Sequence, residues 1–177
     1  MTRIARVALS ATVGLAALAG GATTAHAEQN TPYFRFQVEH SDKCLTVAGG
    51  SLANGATATQ STCAAGLDNQ LFALKPDGKG RLQVQAKHSG RCLATVPDKG
   101  WTVQQAWCVT TASTVTNQSW RVMLVDVAKD LYELRPNDQL EYCLTVPDNS
   151  TAEGVQPFIG KCAGLAPQRW RMTPATS

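Results

Sequence analysis

Helical patterning is nearly missing from this 177-residue chain, and so are most of the groups that enzymes depend on. No stretch repeats its apolar residues at the three-to-four-residue spacing of an amphipathic helix, which excludes a helical bundle. Histidine occurs only at His26, His40 and His88, and there is no Gly-x-Ser-x-Gly or phosphate-loop pattern. Neither a C-x-x-C pair nor paired histidine spacing is present, so no zinc set, and no metal site of any kind, is expected. Basic blocks and cationic amphipathic stretches are also missing, which removes the electrostatic case for nucleic acid or an anionic membrane as partner. The longest apolar run, residues 7–19, falls short of the roughly 18 residues a membrane span needs.

What that run does fit is an export signal. Arg3 and Arg6 precede it, and the small-residue site Ala25-His26-Ala27 follows it, the layout of a signal peptide over residues 1–27 cut before Glu28. The next cysteine is Cys44, so no lipid anchor is expected at the cleavage point. Removing Arg3 and Arg6 leaves 14 basic against 13 acidic residues, a net charge of +1. The remaining residues 28–177 have the length of a single domain. That domain is expected to be secreted, extracellular, soluble and monomeric.

This domain says the same thing three times. Cys44-Leu45-Thr46-Val47 returns as Cys92-Leu93-Ala94-Thr95-Val96 and as Cys143-Leu144-Thr145-Val146. A glycine stands eight residues before each closing cysteine, at Gly55, Gly100 and Gly154. Gln-x-aromatic follows, at Gln70 and Phe72, Gln118 and Trp120, Gln168 and Trp170. A period of about 50 residues marks repeated units, here about 34–83, 84–134 and 135–173, too short to bury a core alone. Six cysteines in an exported chain read as disulfides. The repeat selects Cys44–Cys63, Cys92–Cys108 and Cys143–Cys162, each pair within its own unit.

Strand patterning fills the units. Phe34, Phe36 and Val38 alternate with Arg35 and Gln37, and Leu82, Val84 and Ala86 alternate with Gln83 and Gln85. Turn formers interrupt these runs at Gly49-Gly50, Pro97-Asp98, Pro136-Asn137 and Pro147-Asp148. The expectation is an all-β barrel of three equal sectors, since closure removes exposed sheet edges.

Together these motifs resemble the ricin B-type β-trefoil lectins, a family of secreted carbohydrate-binding modules, over about residues 34–173. The resemblance implies a β-trefoil of about twelve strands, with Phe72, Trp120 and Trp170 as core residues. It also implies a sugar pocket in each unit. There the family sets an Asp after Cys-Leu, a Gln four residues before the second Cys, an aromatic two before it, and an Asn ahead of Gln-x-Trp. A carboxylate accepts strong hydrogen bonds from hydroxyls, and an aromatic face matches the C–H side of a pyranose.

This chain departs from that pattern in every unit. The Asp position holds Thr46, Ala94 and Thr145, and the aromatic position Ser61, Ala106 and Gly160. The Gln position holds Thr59, Gln104 and Phe158; the Asn position holds Asn69, Asn117 and Pro167. Unit two keeps most, so Asp98, Trp101, Gln104, Trp107 and Asn117 form the candidate carbohydrate site, with Asn69 and Asp148 from the other units. Strand alternation puts Trp107 on the face of Val103 and Gln105, a packing position, with ligand stacking as the other reading.

The expected function is non-catalytic glycan or polysaccharide binding through altered pockets, with no cofactor. The alternative is a trefoil that binds a secreted protein as inhibitor or accessory subunit. His40 and His88 both stand four residues before an opening cysteine, which points to a shared structural task rather than catalysis.

Overall fold

Short strands make up most of the described fold, and several of them alternate between buried and partly exposed positions. The computed structural model describes residues 31–76, 79–109 and 116–175; residues 1–27, with the expected signal peptide, lie outside them. Unit one contains β1 (Tyr33–Val38), β2 (Cys44–Val47), β3 (Ala58–Ser61) and β4 (Phe72–Pro76). Unit two contains β5 (Leu82–Ala86), β6 (Cys92–Val96), β7 (Thr102–Ala106) and β8 (Trp120–Asp126). Unit three contains β9 (Leu131–Pro136), β10 (Tyr142–Thr145), β11 (Phe158–Lys161) and β12 (Trp170–Pro174). The divisions between units fall in the β4–β5 and β8–β9 turns, so the boundaries read from the repeat, at 83/84 and 134/135, cut through β5 and β9. The described residues contain no helix long and apolar enough to cross a membrane.

Six strands close a ring. β1 pairs with β4, β4 with β5, β5 with β8, β8 with β9, β9 with β12, and β12 returns to β1, all antiparallel. No strand of the ring has a free edge. The hairpins β2–β3, β6–β7 and β10–β11 cap one end of it. They touch one another through Thr57 and Gln104, through Phe158 and Thr102, and through the Gln60 N–H to Val155 carbonyl bond of 2.8 Å. This is a β-trefoil.

The repeated motifs explain the core. Leu45, Leu93 and Leu144 are buried in equivalent places, as are Phe72, Trp120 and Trp170. Burial of each such side chain stabilises the fold by roughly 1.5–3 kcal/mol. The indole N–H of Trp120 donates to the Leu93 carbonyl at 2.9 Å, and that of Trp170 to the Leu144 carbonyl at 3.1 Å. The glutamine two residues earlier ties down the chain on both sides of each closing cysteine. Gln70 accepts from the Ala64 N–H and donates to the Thr62 carbonyl; Gln118 does so with Val109 and Trp107, and Gln168 with Ala163 and Lys161. All three amides are buried, where an unmet donor or acceptor costs about 1–3 kcal/mol. Disulfides join Cys44 to Cys63, Cys92 to Cys108 and Cys143 to Cys162.

Candidate functional site

In each unit the place where the resemblance implies a sugar pocket is framed by its hairpin and by the residues that lead into the Gln-x-aromatic strand. In unit one Thr46 lies opposite Thr59. Thr46 donates its hydroxyl to the Cys44 carbonyl at 2.9 Å and accepts from the Gln70 amide at 3.2 Å. Thr145 in unit three repeats both bonds, to the Cys143 carbonyl at 2.8 Å and from Gln168 at 3.2 Å. The threonines that stand where the resemblance puts an Asp are therefore bonded within the fold.

In unit two Ala94 faces Gln104 across the hairpin, and the Gln104 amide oxygen lies near Gly55. Asn117 is exposed and donates its side-chain N–H to the Thr95 carbonyl at 2.9 Å; Asn69 makes the same bond to Val47. Asp98 is exposed in the 3-10 turn Pro97–Lys99. Gln104 and Asn117 thus flank one hairpin, but the two tryptophans do not join them.

Trp107 is 68% exposed, which corrects the packing expectation. β7 ends at Ala106, so alternation no longer dictates the direction of the next side chain. The Trp107 N–H donates to Asn54 Oδ1 at 2.8 Å, and the Arg91 guanidinium lies 4.0 Å over its ring. Trp101 is half-buried in the turn just before the same strand, with φ +58°, and lines a cavity with Gln139, Glu141, Tyr142 and Ile159.

Unit three has a groove at the repeated position, about 190 Å³, lined by Pro147, Asp148, Asn149, Phe158, Leu165 and Pro167 among others. Asp148 and Asn149 sit at its rim with φ +55° and +49°, a conformation that asparagine and aspartate tolerate better than other side chains. Phe158, opposite Thr145, leans along β11 over Gly160. A Cβ on Gly160 would meet the Phe158 ring at 3.0 Å and Thr145 Oγ1 at 3.1 Å. Residues two apart share a face of a strand, so the ring fills the space where a side chain two before the closing cysteine would stand.

A model of the ricin-type beta-trefoil lectin domain matches residues 32–170. The chain belongs to this family. Over 73 residues the lectin domain is 36% identical to a beta-agarase of Agarivorans albus, a stretch that covers 40% of this chain and only 16% of that enzyme. Its fold superimposes on the designed threefold-symmetric protein ThreeFoil with a TM-score of 0.69 at 29% identity, covering 79% of this chain and 96% of that one. A ricin B-like lectin of Macrolepiota procera, solved in complex with lactose, matches with a TM-score of 0.66 at 13% identity, covering 80% and 94%.

Within this trefoil both histidines and several carboxylates are engaged in structural contacts. The His40 ring donates Nε2–H to the Ser150 carbonyl at 2.8 Å, and His88 donates to the Ser51 carbonyl at 3.0 Å. Glu39 pairs with Arg169, Glu133 with Arg135, Asp68 with Lys87 and Glu153 with Lys43. Among the described residues one cluster, Glu133 with Cys143 and Cys162, has metal-ligand types close together. Its two sulfurs are joined in the disulfide, which leaves one carboxylate.

Phe158 and Leu165 were not in the set read from sequence. Position-by-position comparison scores Phe158 as a lost glutamine and Gly160 as a lost aromatic. Read as a pair on one strand face, the two changes replace each other.

Proposed function

We propose that this lectin domain binds a glycan without cleaving it, with the groove of unit three as the principal seat. The observation that carries the reading is the Phe158 ring lying over Gly160. It restores an aromatic face at the place where the family keeps one, beside the rim carboxylate of Asp148 and the apolar Leu165. An aromatic face suits the C–H side of a pyranose, and a carboxylate accepts from its hydroxyls. The lectin from Macrolepiota procera, solved with lactose, supports this class of ligand. The engagement of both histidines and most acidic groups in structural contacts supports a non-catalytic role. The leader pattern of residues 1–27 supports export, with the mature chain starting at Glu28.

A glycan array and an insoluble-polysaccharide pull-down on the mature oxidised protein test the reading. Retention that free sugar competes away, and that Phe158→Ala weakens at least tenfold, is the expected result. Absence of retention across a broad panel overturns glycan binding and favours the protein-contact reading; release of reducing ends from a retained polysaccharide overturns the non-catalytic part. N-terminal sequencing of the protein from culture medium checks the cleavage site.

A further inference from the structure

The three contacts between neighbouring units use equivalent positions, and one of the three lacks its plug. Where unit one meets unit three, buried Gln60 donates to the carbonyls of Ser150 and Ala152 at 2.6 and 3.0 Å and accepts from Ser41 at 2.9 Å. Where unit two meets unit one, Gln105 donates to Ser51 and Ala53 at 2.7 and 2.8 Å and accepts from Ser89 at 2.7 Å. His40 and His88 bond to the same loops. In each case a glutamine, a serine and a histidine clasp the loop between the two hairpin strands of the neighbouring unit.

Between units two and three the backbone frame persists. The Ile159 N–H donates to the Trp101 carbonyl at 2.8 Å, as Gln105 does to Ala56 and Gln60 to Val155, each at 2.8 Å. The clasp itself is gone. Ile159 stands in place of the glutamine, and Gln139-Leu140 in place of His-Ser. The loop to be clasped is three residues shorter, since Cys92 and Cys108 are 16 residues apart while the other two pairs are 19 apart. The shortened loop turns through consecutive left-handed residues, Gly100 at φ +69° and Trp101 at φ +58°, a conformation bulky side chains rarely adopt outside functional or tightly constrained sites.

A cavity of about 320 Å³ occupies the place of the missing plug, lined by Trp101, Gln139, Glu141, Tyr142 and Ile159. Among the described residues the side chains of Trp101, Gln139, Glu141 and Tyr142 have no hydrogen-bonding partner. An aromatic pair, a carboxylate and an amide with open valences therefore face one space, and among the described residues no basic side chain lines it. The volume lies at the small end of ligand pockets, the scale of one sugar ring.

We propose that this cleft between units two and three is a second binding site, for a single neutral pyranose residue, separate from the groove of unit three. The proposal rests on the reading of the protein as a glycan binder. One aromatic ring stacks on the C–H face of the sugar, while Glu141 accepts from its hydroxyls and Gln139 both donates and accepts. A ligand bridging this cleft and the unit-three groove would gain from the linkage, since the second contact is then intramolecular.

The test is an NMR titration of the four tryptophan indole N–H resonances with a panel of neutral methyl glycosides. At least one glycoside should shift the Trp101 resonance saturably, and Glu141→Gln should weaken that titration at least tenfold. Leu165→Asp, in the unit-three groove, should leave the Trp101 titration in place. A variant that restores three residues between Pro97 and Gly100, together with Ile159→Gln, should refill the cleft and abolish the shift. If the wild-type protein is retained by polysaccharide while the Trp101 resonance stays still with every glycoside, the second site is overturned and glycan binding stands. If Leu165→Asp removes the Trp101 shift along with retention, the two sites are one and the proposal fails. If nothing is retained and no indole moves, both readings fall.

Discussion

The ring of Phe158 occupies the space above Gly160, 3.0 Å from where a Cβ on that glycine would stand. The two residues are one feature, because the aromatic can lean along β11 only while position 160 has no side chain. Gly160→Ala should therefore push the ring aside and lower glycan retention about tenfold. The added methyl costs about 1–3 kcal/mol as overpacking. Retention assays paired with urea melts separate the two effects; unchanged retention would remove Phe158 from the site.

Clasping of the inter-unit loops predicts a local stability effect. Gln105→Leu keeps the volume but removes three hydrogen bonds, those to the carbonyls of Ser51 and Ala53 and that from the Ser89 hydroxyl, while His88 still donates to Ser51. A net hydrogen bond contributes about 0.5–1.5 kcal/mol, so the loss of three is expected to cost about 2 kcal/mol in denaturant unfolding. The same change in reverse, Ile159→Gln without the loop, should also destabilise, because that amide would find no carbonyls to bond.

Core aromatics differ in one respect that can be measured. Trp120 and Trp170 each donate an indole N–H to a leucine carbonyl, while Phe72 has no donor for the Leu45 carbonyl. Trp170→Ala should cost about 3–5 kcal/mol through cavity formation. Trp170→Phe should retain most of the packing and still lose about 1 kcal/mol or more with the hydrogen bond. Urea midpoints at constant slope provide the comparison.

Acid should weaken one inter-unit contact. A hydrogen bond from Lys43, then bonds from the Thr62 hydroxyl and N–H, hold the Glu153 carboxyl down from 4.5 to about 2. A carboxylate with a depressed pKa stabilises the folded state above its unfolded pKa, and that support fades as pH falls through the folded value. The Glu153 contribution is thus complete above pH 4.5 and is lost on the way down to about 2. Melting temperatures across that range should fall less steeply for Glu153→Gln than for the wild type; parallel curves would show that the ion pair adds nothing.

Each disulfide closes a short loop inside one unit. In the chain-entropy model, replacing Cys92 and Cys108 together by alanine should cost about 3 kcal/mol. The native protein should titrate no free thiol, in keeping with the absence of free cysteines. A titre of two or more would contradict the pairing.

The parts of this protein that were legible in the chain are those written in local periods or in repetition. Strand alternation marked β1 and β5, the thrice-repeated spacing of cysteine, glycine and Gln-x-aromatic announced three sectors and the disulfide pairing, and the family resemblance these motifs carry implied the trefoil and the burial of Phe72, Trp120 and Trp170. The matching positions of His40 and His88 likewise announced a shared structural task. Binding features were harder to read because they arise where periods stop. Trp107 turned outward because β7 ends one residue earlier, and Phe158 became a groove wall because its neighbour two positions on lacks a side chain. Trp101 left its expected company for a cleft made by residues some forty to sixty positions away, opened by a loop that unit two has shortened. Repetition in a chain specifies the backbone frame that all units share. The surface that a ligand meets depends on side-chain directions and on which unit packs opposite, and those were set only when the ring of strands closed.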